Sequence, residues 1–155
     1  MKARELMRPM QDVVTPSDTI VRAAELMHYE TDACVPVVRD AARPVLVGLI
    51  TARDIVARCV ARQHGSSCHI RDHMTPLPLH TVSPDDDFAE VMQKMEEAEV
   101  RRIPVVSDDG VLLGIVCEAD LGETLKAREI RRREIRPAAR SFATADVRRT
   151  AVLSD

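Results

Sequence analysis

The chain has 155 residues and a mass of 17.3 kDa, enough for one ordinary domain or for two small ones that fold together. With 45% hydrophobic and 30% charged residues it reads as a soluble globular chain, and its longest apolar runs, such as 45–50, fall far short of the ~20 residues of a membrane helix. A net charge of −3 and only three aromatic residues, Tyr29, Phe88 and Phe142, argue against nucleic acid as a partner, because neither a general electrostatic pull nor a stacking platform is present.

The N-terminus, Met1-Lys2-Ala3-Arg4-Glu5, lacks the apolar stretch of a secretory signal, so the expected location is the cytoplasm. From there the chain reads strand, helix, strand, strand, helix. Thr15-Pro16 suits a helix start, and 17–29 places Ile20, Ala23, Ala24 and Met27 at helical spacing. The β-branched runs 35–38 and 45–50, separated by a polar loop with Pro44, predict a buried hairpin. Thr51 then hands over to a helix running to about Arg62, and His64-Gly65-Ser66-Ser67 is linker.

The same series then recurs. Ser83-Pro84 opens a segment with Phe88, Val91, Met92 and Met95 at helical spacing, followed by Ile103-Pro104-Val105-Val106, an Asp108-Asp109-Gly110 turn, and Gly114-Ile115-Val116-Cys117-Glu118-Ala119-Asp120. The offset is 68 at Pro16/Pro84, Met27/Met95 and Pro36/Pro104, and 66 at Gly48/Gly114, so the first copy is two residues longer between its hairpin strands. The copies span 1–63 and 70–126, joined by linker 64–69. An Arg-rich helical extension follows at 127–155, its helix ended by Pro137. Residues 126–149 carry nine Lys/Arg against three Asp/Glu.

Two tandem copies of x-h-P-V-V followed by G-h-h-T-x-x-D (h apolar) resemble a pair of cystathionine-β-synthase (CBS) domains over roughly residues 4–125. The resemblance implies an α/β fold of two β-α-β-β-α repeats packed as a pseudo-twofold pair, with the C-terminal extension outside it. It also implies a homodimer, a regulatory rather than enzymatic role, and clefts that bind an adenosine compound: AMP or ATP first, with ADP, NAD and S-adenosylmethionine as further candidates. An effector protein of unknown identity would read the bound state.

Carried onto this chain, Asp54 and Asp120 take the position of a carboxylate that accepts from both ribose hydroxyls. Thr51, at a helix start, and Thr15 supply donors to phosphate, and Ile20 with the Val35 strand start, or Ile103 in the second copy, supplies apolar and backbone contacts to adenine. The copies differ, since Cys117 stands where the first has Thr51, and Arg101-Arg102 precede Ile103 where the first has Ala33-Cys34. The expectation is therefore an asymmetric module. Its stronger site combines Thr15, Val35, Thr51 and Asp54 with Arg101 and Arg102 reaching across, and the Asp120 cleft is weaker.

Plainer roles stand beside these. Asp54 and Asp120 sit where a carboxylate stabilises its own helix dipole, Thr51 is a ready N-cap, Cys117 suits core packing, and Arg101-Arg102 suit surface ion pairs with Asp85, Asp86 or Glu99. His64, Cys68, His69 and His73 are zinc-type ligands, but H-x3-C-H-x3-H matches no closed structural pattern, so they read as exposed linker and no metal is expected. No Gly-rich phosphate loop or nucleophile motif occurs. The alternative function is an adaptor in which the fold is scaffold and the basic tail binds a protein or nucleic acid.

Overall fold

The computed structural model describes residues 1–9, 12–29 and 33–122. In chain order the elements are α1 (Ala3–Leu6), β1 (Arg8–Pro9), α2 (Ile20–Tyr29), β2 (Cys34–Val38), β3 (Leu46–Thr51), α3 (Ala52–Asp54), β4 (Thr75–Pro76), α4 (Phe88–Glu97), β5 (Arg102–Val106) and β6 (Leu112–Cys117). The helix begun by α3 runs on as a π-helical turn, Ile55–Cys59, and a 3-10 turn, Val60–Arg62; a second 3-10 turn covers Ile70–Asp72. A further helix starts at residue 118, and the predicted extension at 127–155, with the helix end at Pro137, lies outside the described residues.

Local chemistry accounts for the helix starts. Asp87 caps α4 by accepting from the N–H groups of Ala89 and Glu90 (2.9 and 3.0 Å), while its own N–H donates to Glu90 Oε2 (2.6 Å), a reciprocal capping box. Val91 and Met95 of α4 are buried one turn apart. On α2 the inward face is Ile20, Ala23 and Leu26 with Met27 partly buried. Ala24, placed on that face by the sequence pattern, is exposed, because contacts three residues apart turn Leu26 inward instead.

The two copies match in register. β2 and β3 pair antiparallel with Cys34 opposite Thr51, β5 and β6 with Arg102 opposite Cys117, and each hairpin shifts register at one place, Val37/Val38 and Val105/Val106. Gly110 holds a φ of 75° in the shorter hairpin loop, a conformation that suits glycine.

The first strand of each copy joins the sheet of the other copy. β1 pairs with β6, giving the order β1-β6-β5, and β4 pairs with β3, giving β2-β3-β4. The exchange extends beyond the strands. Ile70 is fully buried in the core of the first repeat with Val14, Ile20, Ala23, Val37, Ile50 and Cys59. In the other direction, Ala3 N–H donates to Asp86 O (2.8 Å) and Phe88 N–H to Met1 O (2.9 Å). Val45 and Val111 bridge the hairpins, and Val38, Leu46 and Leu112 form a small apolar cluster there.

The turns that lead into α2 and α4 share one device. Thr15 N–H donates to Asp18 Oδ2 (2.6 Å) and Ser83 N–H to Asp86 Oδ2 (3.1 Å). Partial burial pushes the Asp86 carboxyl up, but hydrogen bonds from Lys94 and the Ser83 N–H, with the charges of Lys94 and Lys2, outweigh it and hold the group below the usual carboxylate range. A lowered folded value means stability that is present above the unfolded value and lost as pH falls. Asp86→Asn should therefore lower the unfolding midpoint at pH 7, with the difference from wild type shrinking as pH drops below ~4 in a pH-dependent melting series.

Candidate functional site

At the end of β3 in the first repeat, Thr51 and Asp54 close a capping box. Asp54 N–H donates to Thr51 Oγ1 (3.1 Å), and the Thr51 N–H and hydroxyl both donate to Asp54 Oδ2 (2.9 and 2.7 Å). Arg58, one turn on, lies 3.4 Å from Asp54 Oδ1 and donates through Nη1 to the carbonyls of His73 and Met74 (2.9 and 3.0 Å), at the start of the exchanged strand β4. Asp54→Ala should therefore destabilise the ligand-free protein by about 1–2 kcal/mol in urea unfolding. Thr15 spends its hydroxyl on Asp18 Oδ2 (3.0 Å) and lies 3.1 Å from Ser17 Oγ. Val35 is buried and paired with Ile50, so its backbone serves the sheet.

The second repeat repeats the backbone and changes the side chains. Ala52 N–H donates to Ala33 O (3.0 Å) and, equivalently, Glu118 N–H to Arg101 O (2.9 Å). Cys117 is buried beneath this point, Ile103 is fully buried, and Asp120 forms an ion pair with Arg8 of the exchanged strand β1. Arg101 is 89% exposed and reaches Glu118 at 3.9 Å; of the ion-pair partners suggested by the sequence, Asp85 pairs with Arg4 and Asp86 with Lys94, while Glu99 lines a cleft together with Arg101.

Two adjoining clefts open here. One, of about 280 Å³, is lined by Arg8, Arg101, Arg102, Cys117, Glu118 and Ala119. The other, of about 400 Å³, is lined by Met92, Met95, Glu96, Glu99, Val100, Arg101 and Glu118. They share Arg101 and Glu118. Arg101 and Arg102 thus stand with Cys117 and Arg8 at the end of their own hairpin, while Thr51 and Asp54 stand at the end of the other.

Neither Arg8 nor Arg58 was singled out in the sequence. Arg58 was accessible as an i,i+4 partner of Asp54; Arg8 meets Asp120 through the strand exchange, which no local spacing encodes.

The linker residues separate. His69 Nδ1 lies 2.9 Å from Ser17 O, whereas Cys68 and His73 gather beside Cys59, a residue outside the sequence pattern. The reading of this stretch as exposed linker holds for His64 but not for His73, which is 2% exposed because Ile70 anchors the segment in the first-repeat core. Burial pushes the Cys59 thiol up from its usual value, and the neighbouring Cys68 adds to the shift.

Comparison with known proteins gives a consistent picture. The family profile described as CBS domain matches residues 3–61 and 70–126. Uncharacterized protein YlbB of Bacillus subtilis is 34% identical over 128 residues, covering 83% of this chain and 84% of that protein. A match to an uncharacterized protein of Methanopyrus kandleri spans only 57% of its length. Crystal structures of Hypoxic Response Protein I with two coordinated zinc ions (Mycobacterium tuberculosis; TM-score 0.70, 30% identity, 79% of this chain and 98% of that one) and of CBSX2 from Arabidopsis thaliana in complex with AMP (TM-score 0.70, 26% identity, 83% and 98%) have the same fold. Among the described residues no helix is long and apolar enough to cross a membrane.

Proposed function

The chain belongs to the CBS-domain family, and from that premise we propose that it is a regulatory module that binds an adenine nucleotide, AMP or ATP, and passes the bound state to a partner protein rather than catalysing a reaction. The observation that carries this reading is the pair of clefts sharing Arg101 and Glu118, one with Met92, Met95 and Val100 in its wall beside the carboxylates of Glu96 and Glu99, and the other with Arg8, Arg101 and Arg102. A ligand with an apolar ring at one end and phosphate at the other matches that division. The AMP complex of CBSX2 supports the ligand class.

In this reading the purine lies toward the methionines and Val100, the arginines take the phosphates, and Asp120 turns from Arg8 to the ribose hydroxyls. The Arg8–Asp120 pair links β1 to the helix that follows β6, so a phosphate drawing Arg8 away changes how the exchanged strand is held. A ligand shifts an equilibrium only by its difference in affinity between two states, and this ion pair supplies such a difference. The first-repeat cleft, with Thr15, Val35, Thr51 and Asp54, becomes the weaker one, because Thr51 and Asp54 satisfy each other. That ranking reverses the expectation from sequence. A homodimer remains part of the proposal, supported by Val56 and Val60, 60% and 61% exposed on one helix.

Thermal unfolding against AMP, ADP, ATP, NAD and S-adenosylmethionine tests the reading. Ligand at ~100-fold over its dissociation constant adds about 2.7 kcal/mol, a shift of about 5–10 °C for a domain of this size. AMP or ATP should give that shift, and a flat response across the panel on folded protein would refute the proposal.

A further inference from the structure

Three side chains from separate stretches converge where the first repeat meets the linker: Cys59 at the end of the π-helical turn, Cys68 in the linker and His73 after the Ile70–Asp72 turn. The two Sγ atoms and a ring nitrogen of His73 all lie within 4.8 Å of one another. His73 is 2% exposed, and neither of its ring nitrogens has a hydrogen-bond partner. Imidazole nitrogens buried in this way are rare, since burial removes water without supplying a replacement. The His64 ring centre lies 5.3 Å from that of His73.

We propose that Cys59, Cys68 and His73 bind a zinc ion, with His64 as the fourth ligand. Bond lengths of ~2.3 Å to sulfur and ~2.1 Å to nitrogen put tetrahedral donor atoms about 3.5 Å apart, so movements of about 1 Å close the set. Two imidazoles on one such ion stand about 5 Å apart between ring centres, close to the separation observed. Two thiolates and two imidazoles select zinc over hard cations such as magnesium or calcium, and each thiol gives its proton to solvent on binding.

The surrounding backbone is already held. Arg58 grips the His73 carbonyl (2.9 Å), His64 N–H donates to Cys59 O (3.1 Å), Cys68 N–H donates to Gly65 O (3.2 Å) and Cys68 O accepts from Ile20 N–H (3.0 Å). His64 is exposed and gives the ion access from solvent. Bound there, zinc would clip the linker to α3 and fix the approach to β4, independently of the nucleotide clefts.

The test uses the full chain, reduced and stripped of metal, titrated with zinc and with cobalt(II). The expected result is one equivalent per chain, a raised unfolding midpoint with zinc, and cobalt bands of a tetrahedral site with thiolate charge transfer. Cys59 and His73 are buried, so the decisive variants are Cys68→Ser and His64→Ala at more accessible positions. Cys68→Ser should lose about half of the charge-transfer intensity, one of two thiolates, and weaken zinc by more than an order of magnitude, and His64→Ala should bind more weakly with both thiolate bands retained. Substoichiometric uptake by folded wild type, or uptake unchanged in Cys68→Ser, would overturn the proposal.

Discussion

Gly114→Ala should lower stability by about 2–3 kcal/mol, although it adds a single methyl group. The reason is the strand exchange. A Cβ at Gly114 would meet the carbonyl oxygen of Arg8 at 2.5 Å and the Met7 sulfur at 2.9 Å, so the backbone of β1 must shift off β6 to admit it. Gly48→Ala is the equivalent change in the other repeat, meeting Thr75 O at 2.8 Å and the Met74 sulfur at 2.9 Å. Gly65→Ala is the control, since the nearest atom there is Ser67 Oγ at 3.9 Å. Urea unfolding of the three variants should rank Gly114 and Gly48 well below wild type and Gly65 near it. A tolerated Gly114→Ala would mean that β1 does not lie against β6 as described.

The second large effect falls on binding. Arg101→Ala should weaken AMP about tenfold, and Arg101→Ala/Arg102→Ala about 100-fold, because hydrogen bonds to charged groups contribute about 1.5–3 kcal/mol each. Arg101 is 89% exposed, so the single variant should unfold at the wild-type midpoint, which separates lost contact from lost fold. Asp54→Ala reverses that pattern, with reduced stability and AMP affinity little changed.

The hairpins and the helices were legible in the sequence because each rests on local chemistry. The valine-rich runs become β2, β3, β5 and β6 close to the expected residues, whereas the helix expected from Thr15-Pro16 begins only at Ile20, because Thr15 and Asp18 close a turn first, as Ser83 and Asp86 do before α4. The exchange was not. Met7-Arg8-Pro9 and Met74-Thr75-Pro76 recur at an offset of 67, but strands of two residues carry no alternation that would mark them. Their trace is indirect, in the glycines at 48 and 114 that leave room for the crossing backbone.

The site was half legible for a similar reason. Thr51-x-x-Asp54 shows in sequence, but the same pattern serves a helix cap and a ribose contact, and the structure displays the cap. Arg8 and the Cys59–Cys68–His73 group come together only through chain crossings and a π-helical turn, which alter the neighbours that a regular helical period would predict.

The proposed function turns on an adenine nucleotide in the arginine-lined cleft of the second repeat. Titration calorimetry of AMP into the full chain, beside the Arg101→Ala/Arg102→Ala and Asp54→Ala variants, tests it most directly. The expected result is saturable binding that the arginine pair variant weakens about 100-fold and Asp54→Ala leaves nearly intact. Binding abolished by Asp54→Ala and untouched by loss of both arginines, or no saturable binding by folded wild-type protein, would contradict it.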